Sequence, residues 1–307
     1  MAALGVVLRV MIRIISALRR RWKTVASLLV LIALFLGWKA WSDTMGDPSV
    51  LRTEARLNGY PAGAEPVTAA LISDVHVAGP DMPPERLARI VEQINALEPD
   101  IVLIAGDLVS EKRTASHIYT PQEVVAPLAD LTAPLGVVVV PGNHDHWFNW
   151  EGLRSELQSH GIVTLQDEAV QIGPLAIGGV DDAYTRRDDL SLVLQRMEGL
   201  QGGRLILTHS PDITPQVPAD ISLILAGHTH CGQISLPFIG APAYMSAYGD
   251  RFACGEIVEG GQTVIVGAGL GTSLLPIRFG TRGEIWLVEL QGQSEKAAGA
   301  RTPAAFS

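Results

Sequence analysis

The chain has 307 residues, 47% hydrophobic and 18% charged, enough to bury a sizeable core in one large domain or two small ones and unlike a disordered or fibrous composition. Its formal charge of -9 averages two unlike parts, because residues 1–42 carry seven basic side chains and no acid. Removing those seven leaves -16 on the other 265 residues, a body that repels polyanions and excludes bulk nucleic acid as a partner.

The amino-terminal segment, residues 1–23, is basic. Arg9, Arg13 and Arg20 fall near one helical face, which predicts an amphipathic helix over residues 5–22 lying on a membrane surface. Residues 24–42 begin with the uncharged run "TVASLLVLIALFLGW" and extend to Trp41 with Lys39 snorkelling, a transmembrane anchor of marginal length. A secretory signal with a loose twin-arginine look is the competing reading, with "AWS" at 40–42 as its cleavage site; Lys39 and Trp41 fit that site poorly. Basic residues before the span place the amino terminus in the cytoplasm and the large domain outside the inner membrane. Residues 43–66, with Gly46, Pro48, Gly59, Pro61, Gly63 and Pro66, read as a linker.

From 67 to 292 the chain is regular. Short apolar runs at 67–72, 101–106, 136–140, 205–208, 221–227, 263–269 and 285–290 are rich in β-branched residues and read as strands buried on both faces. Between the first two, Leu87, Ile90, Val91, Ile94 and Leu97 mark one face of a helix. Weaker helical patterns fall at 122–132, 151–160 and 188–200. Strands alternating with helices imply an α/β layered fold with much parallel pairing. Residues 293–307 read as a flexible tail.

Polar residues follow these strands in order: Asp74 and His76 after the first, Asp107 after the second, Asn143, His144 and Asp145 after the third, His209 after the fourth, His228 and His230 after the fifth. Five of the eight histidines lie in these segments, at the strand ends where α/β sheets bind ligands. Two cations about 3.5–4 Å apart clamp the attacking and leaving oxygens of a phosphoryl displacement, and a carboxylate is the group to bridge them. Asp107, next to Gly106, is placed for that. Mixed His, Asp and Asn ligation leaves manganese, zinc and iron open.

The ordered series Asp-x-His, Gly-Asp, Gly-Asn-His-Asp, His and Gly-His-x-His over residues 74–230 resembles the calcineurin-like metallophosphoesterases, and "GLGTSLLPIRFG" (269–280) resembles a bacterial membrane-linked branch of them. The resemblance implies an α/β/β/α sandwich of two mixed sheets with a dinuclear site at the strand ends. It implies Asp74, His76 and His230 around one metal, Asn143, His209 and His228 around the other, and Asp107 between. His144 would face substrate, with Asp145 orienting its ring, and a hydroxide bridging the metals would attack a phosphodiester or pyrophosphate.

Departures narrow the reading. "GDLVSEK" lacks the tyrosine of the purple acid phosphatases, which argues against a charge-transfer iron centre. Cys231 stands where the branch commonly has glycine, and reads as a small packing residue, a disulfide with Cys254 being an alternative. His146 reads as a loop histidine. Arg278 has two readings, a planar fork on a phosphate or an ordinary surface arginine. "CGQISLPFIGAPAYMSAYGDRFACG" offers an apolar lip for a lipid, with packing under a long loop as the alternative. Members similar to this branch hydrolyse UDP-2,3-diacylglucosamine in lipid A biosynthesis, so a lipid-linked pyrophosphate is the leading substrate; an extracytoplasmic or cell-wall phosphodiesterase is second, and a non-catalytic membrane-tethered scaffold a remote third.

Overall fold

A computed structural model describes residues 2–293, so all of the expected tail but Gln293 lies outside the described residues. The chain forms two compact units, Met1–Ser42 and Asp43–Ser307. The first consists of α1 (Ala2–Arg20) and most of α2 (Trp22–Met45). Among the described residues α2 is the one helix long and apolar enough to cross a membrane, since 24 residues at ~1.5 Å each exceed a hydrocarbon core of ~30 Å. Leu28, Leu29, Leu31, Leu34 and Phe35 are all exposed on it.

In the second unit the strands are, in chain order, β1 (Ser49–Leu57), β2 (Val67–Ile72), β3 (Ile101–Ala105), β4 (Val137–Val140), β5 (Val163–Thr164), β6 (Glu168–Ile172), β7 (Leu175–Val180), β8 (Gly203–Thr208), β9 (Leu223–Ala226), β10 (Gly255–Glu259), β11 (Gln262–Val266) and β12 (Glu284–Gly292). They make two six-stranded mixed sheets, ordered β1-β12-β2-β3-β4-β5 and β10-β11-β9-β8-β7-β6. Strands β2 to β5 run parallel, as do β7, β8, β9 and β11. Their apolar runs are buried on both faces because helices cover the outside of each sheet.

One core lies between the sheets, where Leu71, Leu103 and Val138 of the first meet Leu205, Leu225 and Ile265 of the second. A second packs the first sheet's outer face under α3 (Pro84–Asn95) through Leu87, Ile90, Val91 and Ile94. A third puts Val193 and Met197 of a later helix, Leu190–Met197, over Ile206 and Ile224. The result is an α/β/β/α sandwich.

Half of the expected linker at 43–66 is instead regular structure, the end of α2 and the whole of β1. β1 pairs with β12 in parallel along nine residues, Ser49 with Glu284 through Leu57 with Gly292. Charged Arg52, Glu54 and Arg56 face out and Ala55 and Leu57 face in, the period-two alternation of a strand half in the core. Glycines and prolines on both sides disguise it in the sequence.

Candidate metal centre

The carboxyl ends of β2, β3, β4, β8 and β9 converge, and each turns sharply into its polar segment. Asp74, His76, Asp107, His228 and His230 all adopt left-handed backbone, with φ between 47° and 71°. Each costs on the order of 1–3 kcal/mol in a non-glycine residue, a strain that persists only where the surroundings impose it. The surroundings do: Asp74 N donates to Gly106 O and His76 N to Asp107 O, both at 2.9 Å. Glycines let the loops close, since a Cβ on Gly142 would collide with Asp107 Oδ1 and one on Gly227 with Asp74 Oδ2.

The seven expected ligands form one buried cluster. His230 Nε2 lies 3.0 Å from His76 Nε2 and 3.3 Å from Asp74 Oδ1. Asp107 Oδ2 lies 3.6 Å from His76 Nε2 and 3.2 Å from His209 Nε2. His209 Nε2 in turn is 3.2 Å from Asn143 Oδ1 and 3.1 Å from His228 Nδ1. Asp107 thus touches both halves of the set.

The electrostatics favour lone pairs aimed inward. Burial pushes His76 and His230 well below the ordinary imidazole value, and burial together with His209 pushes His228 down to about 4. Burial opposes charge on Asp107 too, but His209 and His144 outweigh it and hold that carboxyl well below the usual range. The balance reverses at His209, where Asp107 outweighs burial and the imidazole is held well above its ordinary value. Burial drives Asp74 up to about 6. His228 Nε2 is buried with no partner. Neutral His76 and His230 facing each other nitrogen to nitrogen, carboxylates beside them, an orphaned nitrogen on His228 and a His209 proton that a metal would displace make a donor set that divalent cations fit. Ligand atoms of Asp74, His76 and His230 lie within 4.8 Å of one another, as do those of Asp74, Asp107 and His209.

Other residues depart from expectation. Asp145 does not orient His144. Its Oδ1 accepts from Leu108 N at 2.7 Å and its Oδ2 from Gly142 N at 2.9 Å, so it pins the loop after β3 to the start of the short helix Asn143–Phe148. Successive helical residues do not share a face, which is why 144 and 145 point apart. The ring of His144 is held by Glu111, whose Oε2 lies 2.8 Å from Nδ1. Glu111 escapes sequence reasoning; its one signal is a carboxylate four positions after Asp107. His146 lies on that same helix rather than in a loop, paired to Asp181 at 2.5 Å. Arg278 is neither on the surface nor among the cavity's lining residues. It is fully buried, donates to the carbonyls of Ala268 and Gly271 at 2.7 and 2.5 Å, and sets Nη2 3.4 Å from His230 Nδ1.

A cavity of about 290 Å³ opens over the cluster, with Asp107, Asn143, His144, His228 and His230 in its floor. Its walls are apolar: Trp147, Tyr184, Ile234, Met245, Leu274 and Leu275. Cys231, expected as a packing thiol, is disulfide-bonded to Cys254 across 23 positions, and the loop so closed carries much of that wall. Closing a loop of this length stabilises by about 3 kcal/mol, chiefly by restricting the unfolded chain. Cys254→Ser is therefore expected to lower the urea-unfolding free energy by about that amount, with no further loss on adding reductant; an unchanged unfolding midpoint would show that the bond does not constrain the fold.

A family model described as calcineurin-like phosphoesterase matches residues 67–232. The chain is 32% identical over 216 residues to an uncharacterized metallophosphoesterase, YkuE, of Bacillus subtilis (strain 168), covering 67% of this chain and 73% of that one. It is 30% identical over 293 residues to a transmembrane protein with metallophosphoesterase domain of Bos taurus, covering 86% of this chain but 62% of the bovine protein. Among solved structures it is similar to a 5'-nucleotidase precursor of Thermus thermophilus, with a TM-score of 0.40 at 12% identity, covering 73% of this chain and 55% of that one.

Proposed function

Because the chain belongs to the calcineurin-like phosphoesterases, metal-dependent hydrolases of phosphoesters, we propose that it is a membrane-anchored enzyme cleaving a phosphodiester or pyrophosphate in an amphiphilic, lipid-linked substrate. The observation that carries this reading is the apolar-walled cavity directly over the Asp/His cluster in a chain with a helix of membrane-spanning length.

In this reading Asp74, His76 and His230 would hold one cation and Asn143, His209 and His228 the other, with Asp107 available to both. Bound cations supply Lewis acidity and bring the pKa of coordinated water toward roughly 7. The chain's own groups do the rest. Asp145 keeps the loops bearing Asp107 and Asn143 in register. His144, its Nδ1 bonded to Glu111, turns Nε2 to the leaving oxygen and gives it a proton as water adds at phosphorus, the water's own proton passes to solvent and the P–O bond breaks; His144 then takes a proton back from solvent. Arg278 buttresses His230 from behind, so its part is positioning rather than contact with phosphate.

UDP-2,3-diacylglucosamine fits the cavity's chemistry, with an apolar tail and a pyrophosphate. The Cys231–Cys254 bond favours the second reading, an extracytoplasmic general or cell-wall phosphodiesterase, because disulfides persist in oxidising compartments outside the cytoplasm. The test compares full-length protein in vesicles on a lipid-linked pyrophosphate and on a soluble aryl phosphodiester. A chelator is expected to cut both rates at least about 100-fold, with manganese or zinc restoring them. An undiminished rate in chelator would sink the metal assignment; a preference for the soluble ester would sink the lipid one.

A further inference from the structure

We propose that the surface built by Leu236–Gly240 and Leu274–Ile277 seats the domain on the bilayer, with Phe238 and Ile239 entering lipid close to where the chain leaves it. The inference rests on the reading of α2 as a membrane span.

The patch is one surface. Ser235 N donates to Phe279 O at 2.7 Å, and the Gln233 side chain donates to the carbonyls of Leu275 and Ile277 at 2.9 and 3.0 Å. At the tip of the turn closed by Leu236 and Gly240 Phe238 is fully exposed and Ile239 is 79% exposed, and on the adjoining segment Leu274 is 69% exposed. Clustered apolar exposure of this kind marks an interaction surface.

Chain continuity identifies the partner. A crossing needs ~20 residues, and counted from Thr24 that ends at Asp43. Asp43 and Thr44 are already buried in the second unit, where Asp43 Oδ2 accepts from Gly280 N at 2.8 Å and Thr44 Oγ1 from Arg278 N at 2.6 Å. The helix itself continues to Met45, three residues into the second unit. The Asp43 side chain accepts from Gly280 N, the neighbouring Phe279 O accepts from Ser235 N, and Phe238 is three residues further, at most ~11 Å. The exposed side chains therefore lie within about 20 Å of the exit point. An acidic body gains no attraction from an anionic leaflet, so the contact this face can make there is apolar. Gln233, Ile234, Leu274 and Leu275 also line the cavity, which gives a lipid a route from the membrane to the cluster.

Full-length protein carrying the photo-crosslinker p-benzoylphenylalanine at position 31, 238 or 258, reconstituted in phosphatidylcholine vesicles, tests this. Leu31 lies in α2, and Val258 is an exposed position on β10. Lipid adducts are expected at 31 and 238 and not at 258. Adducts at 31 alone, or capture of a second protein chain at 238, would overturn the seating surface while leaving the span in place; adducts at neither would remove the span as well. The Phe238→Asp, Ile239→Asp double variant is expected to lose at least about tenfold on a vesicle-embedded phosphoester and nothing on a soluble aryl diester. Equal losses on both would count against the proposal.

Discussion

Asparagine at position 107 is expected to lower turnover at least about 10³-fold, about 4 kcal/mol in barrier height, while the protein stays folded. The substitution keeps the shape of the side chain and an oxygen to accept the 2.8 Å bond from His144 N. What it removes is the charge that lies between His76 and His209. Bound metal should fall with it, because a neutral amide offsets the repulsion between two neighbouring cations less than a bridging anion does. Metal content by elemental analysis, turnover on a soluble aryl diester and a thermal melt together check this. A rate within tenfold of wild type at full metal occupancy would show that Asp107 is not the shared ligand.

The loops of this cluster are legible in the sequence because each follows a strand with at least three consecutive apolar residues, so the polar residues after it stand at the sheet's edge. The same logic fails for β7. Gly178 and Gly179 break the apolar pattern of "LAIGGV", yet a Cβ at either would collide with Met197 or Leu165; close packing, not flexibility, selects glycine there. It fails for β1 because parallel pairing with β12 joins residues more than two hundred positions apart, a partnership no local pattern encodes. Partner choice within the site is hidden for a similar reason. Asp145 adjoins His144 in sequence but is turned away by the helix, while Glu111 comes from another strand's loop. Arg278 is hidden differently: its burial is made tolerable by backbone carbonyls of 268–271, acceptors that every sequence has and only a fold can gather.

Glu111 is the residue on which the leaving-group reading of His144 can be decided. Burial disfavours the His144 imidazolium, but Asp107 and then Glu111 outweigh it and hold the group above the ordinary histidine value. Cations held at the cluster would both draw on that carboxylate's charge and repel the imidazolium, so the 2.8 Å bond from Glu111 would be the contact that favours protonation of His144. A proton donor is active in its protonated form, so activity is lost as pH rises through its pKa. Glu111→Gln lowers that pKa, and the alkaline limb of the rate profile is expected to move to lower pH, with turnover on an alkyl phosphodiester falling about 10- to 100-fold. His144→Ala should fall further and lose the limb altogether. A nitrophenyl ester, whose leaving group departs without a proton, should be affected far less by either variant. Equal losses on alkyl and nitrophenyl esters, or an alkaline limb unmoved by Glu111→Gln, would assign His144 to holding the ground-state phosphate instead of to the departing oxygen.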